Sequence, residues 1–301
     1  MTKEEYSQLL IKACGGHKTF GEISFYRREK EREVTKAIGD NYWGYLALGD
    51  AIHQFYNDTL ILLTNQDIFF SLDEVKWLYV NWHAVSHSRF YNAFNSFYRG
   101  YYYDACSLSR SIWESALSLT AIEKGIITTQ DLFCGGDKSL SRKQVNEKLR
   151  KLDRKIEDDL IWKNPMLSCK ERESVEFLKD YFNKSTHKSR LHLLLNIPNQ
   201  KKVPSLYPYY DKLECIAAGN ILYLSIWFML ATLKYLGPTL ACIDKNWAER
   251  YDAIISAMKL GIGTVPKEVI ENYAKFIGFL FKDYEHESQS KSNKSDVCVS
   301  A

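Results

Sequence analysis

Three observations predict an all-α protein for this 301-residue chain, a multi-helix bundle of long antiparallel helices around one central helix. Residues Tyr102–Glu123 set Ala105, Leu108, Ile112, Ala116 and Leu119 at helical spacing, with only Arg110 and Glu114 charged between Asp104 and Glu123. The six prolines stand at 165, 198, 204, 208, 238 and 266, which leaves a long N-terminal stretch without one and suits long helices. Alternating apolar and polar runs, the mark of half-buried strands, are scarce.

In the central helix Cys106, Trp113 and Leu117 widen the apolar stripe, and Ser107, Ser111, Ser115 and Ser118 form a face of small side chains. A helix with so few solvating residues is expected to be surrounded on most sides. Arg110 and Glu114, four apart, share one face. Their pairing is then expected in a dry setting, where it needs further partners to be tolerated. It reads either as part of a site or as a structural tie between helices.

In chain order, residues 3–13 form a short amphipathic helix that breaks at Gly15-Gly16. Residues 27–38 are a charge-dense helix, solvated over most of its surface. A further helix over 41–64 keeps Tyr45, Leu48, Ile52, Phe55 and Leu62 in register. Ser71 and Glu74 have capping-box spacing and open a helix to Arg99 on Val75, Tyr79, Trp82, Phe90, Ala93 and Phe97. Gly100 ends it and the central helix follows at once, so the two must pack antiparallel. After a polar connection over 128–139, residues 141–161 form an amphipathic helix on Val145, Leu149, Leu152, Ile156 and Leu160.

A second capping box, Ser168 with Glu171, starts a helix to about Tyr181. Residues 183–196 read either as its continuation or as a turn into another. The three prolines within 196–210 make that segment a loop. An apolar helix over 211–236 ends at Gly237-Pro238, helices over 245–259 and 266–283 follow, and the Ser/Lys-rich 285–301 is a disordered tail. The chain thus divides into N-terminal helices packing on the bundle (1–70), the bundle core (71–236), C-terminal helices (237–284) and the tail.

Composition is that of a soluble globular protein, 46% hydrophobic and 26% charged. The net charge of +3 is too small to argue for nucleic acid by itself. Seven cysteines without a C-x-x-C pair, behind a charged N-terminus lacking an apolar signal core, point to reduced thiols in the cytoplasm. Residues 216–236 are long and apolar enough to cross a membrane, yet contain Asn220, Ser225, Thr232 and Lys234, and no second such segment exists. A buried core helix and no membrane are the expectation. Walker, dinucleotide-binding and nucleophile-elbow motifs are absent, so P-loop and dinucleotide redox chemistry, and any cofactor, are not expected.

Candidate site residues are few. His83 and His87 are spaced as metal ligands on a helix, but lack the glutamate of a metalloprotease and a third donor in sequence; no metal site is expected, and an ordinary polar face accounts for them. His187 sits within NKSTHKSR, where Lys188 and Arg190 make a cationic, hydroxyl-rich cluster suited to phosphate, or an exposed polar turn. His192, within an apolar run, reads as a packed core residue. Residues 138–155 carry eight Lys/Arg against Glu147 and Asp153, a local charge of +6. Arg142, Lys143, Lys148, Arg150, Lys151 and Arg154 then form a basic outer face that can track an RNA or DNA backbone, or simply a solvated one.

The stretch AFNSFYRGYYYDACSLSRSIWE, residues 93–114, has a helix ending in Gly-x-Tyr-x-x-Ala followed by Leu-x-Arg-Ser-x-x-Glu. With NKSTHKSR downstream, it resembles the HEPN-like superfamily of helical bundles over roughly residues 75–195. The resemblance implies a four- or five-helix bundle, often dimeric, in proteins tied to RNA cleavage, nucleotide binding or phage defence. It implies Arg110, Glu114 and His187 as the site, with His187 as general acid or base. Active HEPN ribonucleases share an Arg-x4–6-His motif that this chain lacks, which puts cleavage by the usual pair in question. The expectation is an RNA- or nucleotide-engaging protein, homodimeric, enzymatic only as a metal-independent ribonuclease. The alternative is a non-catalytic helical adaptor whose partner is a protein bound through aromatic side chains.

Overall fold

The computed structural model describes residues 20–132, 139–165, 167–186 and 210–260, together with Thr2, Glu4, Glu5 and Gln8. Among these residues 86% are helical and none lies in a strand: the fold is an all-α bundle. The expected segments 3–13 (Glu4, Glu5 and Gln8 apart), 266–283 and 285–301 lie outside the described residues, as do His187, Lys188, Arg190 and His192.

Helix α1, Phe20–Leu63, joins the two expected N-terminal helices into one run with a kink at Tyr42 (φ −140°, ψ 35°). Its charge-dense half is not merely a solvated rod, for Val34 and Ile38 are buried. Arg27 donates to Tyr101 Oη (2.7 Å), and Thr35 Oγ1 donates to the Tyr98 carbonyl (2.9 Å). Both contacts hold α1 to the turn that follows the next long helix. After the short α2, Gln66–Phe69, helix α3 spans Glu74–Tyr98. The expected Ser71–Glu74 capping box does not form. Asp73 is the N-cap, accepting from the Lys76 amide (2.8 Å), while the Ser71 hydroxyl is turned back to the Ile68 carbonyl (2.7 Å). Either residue has cap chemistry, and the carboxylate nearer the first turn also suits the helix dipole.

Gly100, at φ 86°, reverses the chain, with the Tyr101 amide donating back to the Ser96 carbonyl (2.8 Å). Helix α4, Tyr102–Glu123, then returns along α3. The remaining elements are α5 (Thr129–Leu132), α6 (Arg142–Glu157), α7 (Cys169–Thr186), α8 (Lys212–Leu233), α9 (Gly237–Ile243) and α10 (Trp247–Leu260). The central helix α4 packs against α3, α8, α7 and α6. Its serines add no orphan polar groups: Ser111, Ser115 and Ser118 hydroxyls donate to carbonyls three or four residues back.

Three boundaries differ from the sequence reading, and of its two alternatives after Tyr181 the continuation is realised over 183–186. Helix α6 opens with the capping box of Ser141 and Gln144 but gives way after Glu157 to a π-helical turn, Asp158–Trp162. That turn buries both Leu160 and Ile161. Helix α7 runs on to Thr186, so residues 183–186 continue it. The apolar helix α8 ends at Leu233, passes through a 3₁₀ turn (Lys234–Leu236), and Gly237-Pro238 begin α9 rather than closing a helix. The next helix, expected from about 245, starts at Trp247, after a turn in which Asp244 accepts from the Asn246 amide (2.9 Å). Glu214–Ile243 has a mean hydropathy of 1.7 and is long enough to cross a membrane, and 83% of its apolar window is buried within the bundle.

Candidate functional site

The central helix carries Arg110, Trp113, Glu114, Leu117 and Ser118 on one side, at successive three- and four-residue steps. Helix α6 brings Asp153, Ile156 and Glu157 to that side, and α7 brings Lys179, Phe182 and Asn183. Between them lies a cleft of about 190 Å³. Its floor is apolar, since Trp113, Leu117, Ile156 and Phe182 are buried, and its rim is charged.

On the rim, Arg110 Nε donates to Glu114 Oε1 (2.7 Å) and Arg110 Nη1 to Asn183 Oδ1 (3.0 Å). Lys179 is paired with Glu157. Asp153 is the third carboxylate and makes no ion pair or hydrogen bond among the described residues. Burial, and then the charges of Glu114 and Glu157, hold its carboxyl above the usual range, with Arg110 opposing them. Two cations face three carboxylates, and both cations are engaged. The cleft itself therefore favours N–H donors and disfavours a phosphate.

The expected dry ion pair needs correction. The Arg110 and Glu114 side chains retain 28% and 55% of their exposure, so the pair stands at the cleft mouth in partial contact with water. Of the serine face only Ser118 lines this opening, which lies instead along Arg110, Trp113, Glu114 and Leu117. Arg142, Lys143, Lys148, Arg150, Lys151 and Arg154 are all exposed on α6, as a basic outer face requires. Among them Lys151 pairs with Glu147 (3.0 Å), both well exposed, a contact too weakly held to remove the cation from use. The helix that carries these exposed cations also lines the cleft, through Asp153, Ile156 and Glu157, opposite Arg110 and Glu114.

Asp153, Glu157, Lys179 and Asn183 escaped the sequence reading. The signal for the last was its position four residues before His187 in the polar run. The polar-face reading of His83 and His87 is overturned. His83 is 1% and His87 8% exposed, between α1 and α3. His53 Nδ1 and His87 Nε2 are 2.8 Å apart, and His53 also stacks on Tyr91, as His87 does on Tyr56. Burial lowers both His83 and His87 to about 4, with His53 adding to the effect on His87. His83 lies beside the Thr232 backbone, which offsets the shift in part, but neither of its ring nitrogens reaches hydrogen-bond geometry. Among the described residues no group of three or more His, Cys, Asp or Glu is placed to hold a metal ion. Compared with models of protein families, with curated proteins and with solved structures, the chain matches none.

Proposed function

We propose that this chain is a cytoplasmic, HEPN-like bundle that engages RNA or a nucleotide at the Arg110 cleft, as a dimer, in a stress or phage-defence setting. One observation carries the reading. Arg110 bridges from the central helix to Asn183, at the head of the NKSTHKSR segment, beside a helix whose outer face is exposed and basic. Phosphates are held by that outer face, Arg110 holds Glu114 and Asn183 in place at the rim where the strand enters, and His187 supplies acid–base chemistry if the strand is cut.

The test is binding and cleavage of short single-stranded RNA in EDTA, comparing the wild type with Arg110→Ala and His187→Ala, each first shown to be folded. Arg110→Ala is expected to weaken binding about tenfold, the value of one charge-assisted hydrogen bond. Any cleavage is expected to vanish in His187→Ala. A wild type that neither binds nor cuts RNA at low salt ends this reading.

A protein-binding adaptor is the second reading, and a specific feature favours it. Ile61 and Phe70 are 70% and 81% exposed near the α1–α3 connection, and Trp77 is partly exposed there too. Large apolar side chains left in water at one end of a bundle are suited to a partner. Binding through them would change little with salt, whereas phosphate contacts weaken steeply.

A further inference from the structure

The cleft and the outer face of α6 carry opposite charge, and that opposition separates what each can bind. On the outer face Lys143, Lys148, Arg150 and Arg154 are exposed, make no ion pair among the described residues and are open to phosphate. The inner side of the same helix gives the cleft Asp153 and Glu157, which meet Glu114 across it. Arg110 and Lys179 are already engaged by Glu114 and Glu157. A phosphate entering there would lose its hydration to face three carboxylates. A carboxylate is an acceptor only, so a neutral group with N–H donors gains what the phosphate loses. The buried floor of Trp113, Leu117, Ile156 and Phe182 suits a flat, weakly hydrated ring. At about 190 Å³ the cleft is smaller than sites for drug-sized ligands and matches one ring system.

Resting on the RNA or nucleotide reading above, we infer that the cleft takes a nucleobase by its Watson–Crick edge and selects guanine. Guanine alone among the four bases presents two adjacent donors, N1–H and the N2 amino group. Adenine and cytosine set one amino donor beside a ring-nitrogen acceptor, and uracil sets one imino donor between two carbonyls. Each of those acceptors would face a carboxylate with no proton between them. Asp153, exposed at the cleft and without a hydrogen bond or ion pair among the described residues, gains most when a donor pair arrives. The phosphates on either side of that guanosine then run along the outer face of α6. Single-stranded RNA is read in this way, with bases turned out of the stack and recognised on their edges.

The experiment is fluorescence anisotropy with the full chain and four labelled pentamers, each with uridines around a central guanosine, inosine, adenosine or uridine. The guanosine pentamer is expected to bind about tenfold tighter than the adenosine and uridine ones, the discrimination of one good paired base contact. Inosine, which lacks only the 2-amino group, is expected to fall between them. In Asp153→Asn and in Glu114→Gln the guanosine preference is expected to shrink below about twofold, circular dichroism confirming that both keep their helices. Equal affinity for all four pentamers overturns guanine selection while leaving RNA engagement standing. A preference that survives in both variants overturns the assignment to this cleft. No binding of any pentamer at low salt overturns this inference together with the reading on which it rests.

Discussion

His83 and His87 show how one residue's setting outweighs its chemistry. Alone, the pair spells a polar face or two metal ligands. In the bundle they lie in phase with Tyr79, Phe90 and Phe94, on the stripe that α3 buries against α1 and α8. That register was legible, since 79, 83, 87, 90 and 94 follow helical steps, but a histidine's polarity hides it from a pattern search based on apolar residues. The consequence is a pH-dependent stability. Both imidazoles sit near pKa 4 in the folded chain against about 6.5 when unfolded, so between those values the unfolded state binds more protons. Stability is therefore complete above about pH 6.5 and falls as pH drops toward 4, by up to a few kcal/mol in all. Urea titrations at pH 7 and pH 5 measure the difference. His83→Leu is expected to reduce it, and to be neutral or stabilising by about 1 kcal/mol at pH 7. The replacement has similar volume and removes buried nitrogens that make no hydrogen bond.

At the scale of elements, most of the bundle could be read directly. The central helix is found at Tyr102–Glu123 as expected, because its stripe, its near absence of charge and the Gly100 turn agree with one another. The misses fall where two local signals compete. Ser71 and Asp73 both offer a cap, and only the path of the chain after α2 decides between them. Asp73→Ala is accordingly expected to lose about 1 kcal/mol in a thermal melt, and Ser71→Ala distinctly less. Gly237-Pro238 reads equally well as the end of one helix or the start of the next, because proline is tolerated in a first turn. The packing of α1 on the bundle was expected from its apolar register, but the close approach of α1 to α3 had no sequence signal. At Gly49 an added methyl carbon would lie 2.2 Å from Phe94 Cε2, inside a ring that is itself 5% exposed and stacked on Phe90. Gly49→Ala is expected to destabilise by about 1–3 kcal/mol through this overpacking, read from the urea midpoint. Gly39→Ala, whose methyl would meet only Leu46 at 3.8 Å, serves as the control and is expected to be neutral or slightly stabilising.

Over the whole molecule, the net charge of +3 conceals an uneven distribution that the site depends on. The basic face of α6 was visible in the sequence as a run of cations. The acidic cleft was not, because Glu114, Asp153, Glu157 and Lys179 come from three helices that only the tertiary fold brings together. This division yields a prediction that separates the two functional readings. Arg150 and Arg154 are exposed near the middle of the outer face and make no ion pair among the described residues, so both are available to phosphates. Each phosphate neutralised on a single strand contributes about 0.7 to the slope of log affinity against log salt. Arg150→Ala combined with Arg154→Ala is therefore expected to lower that slope by about 1.4 and to weaken every RNA sequence alike, leaving the ranking of sequences unchanged. A partner held instead by Ile61, Phe70 and Trp77 would bind with little salt dependence and would not respond to the two arginines, since apolar contact releases no counterions.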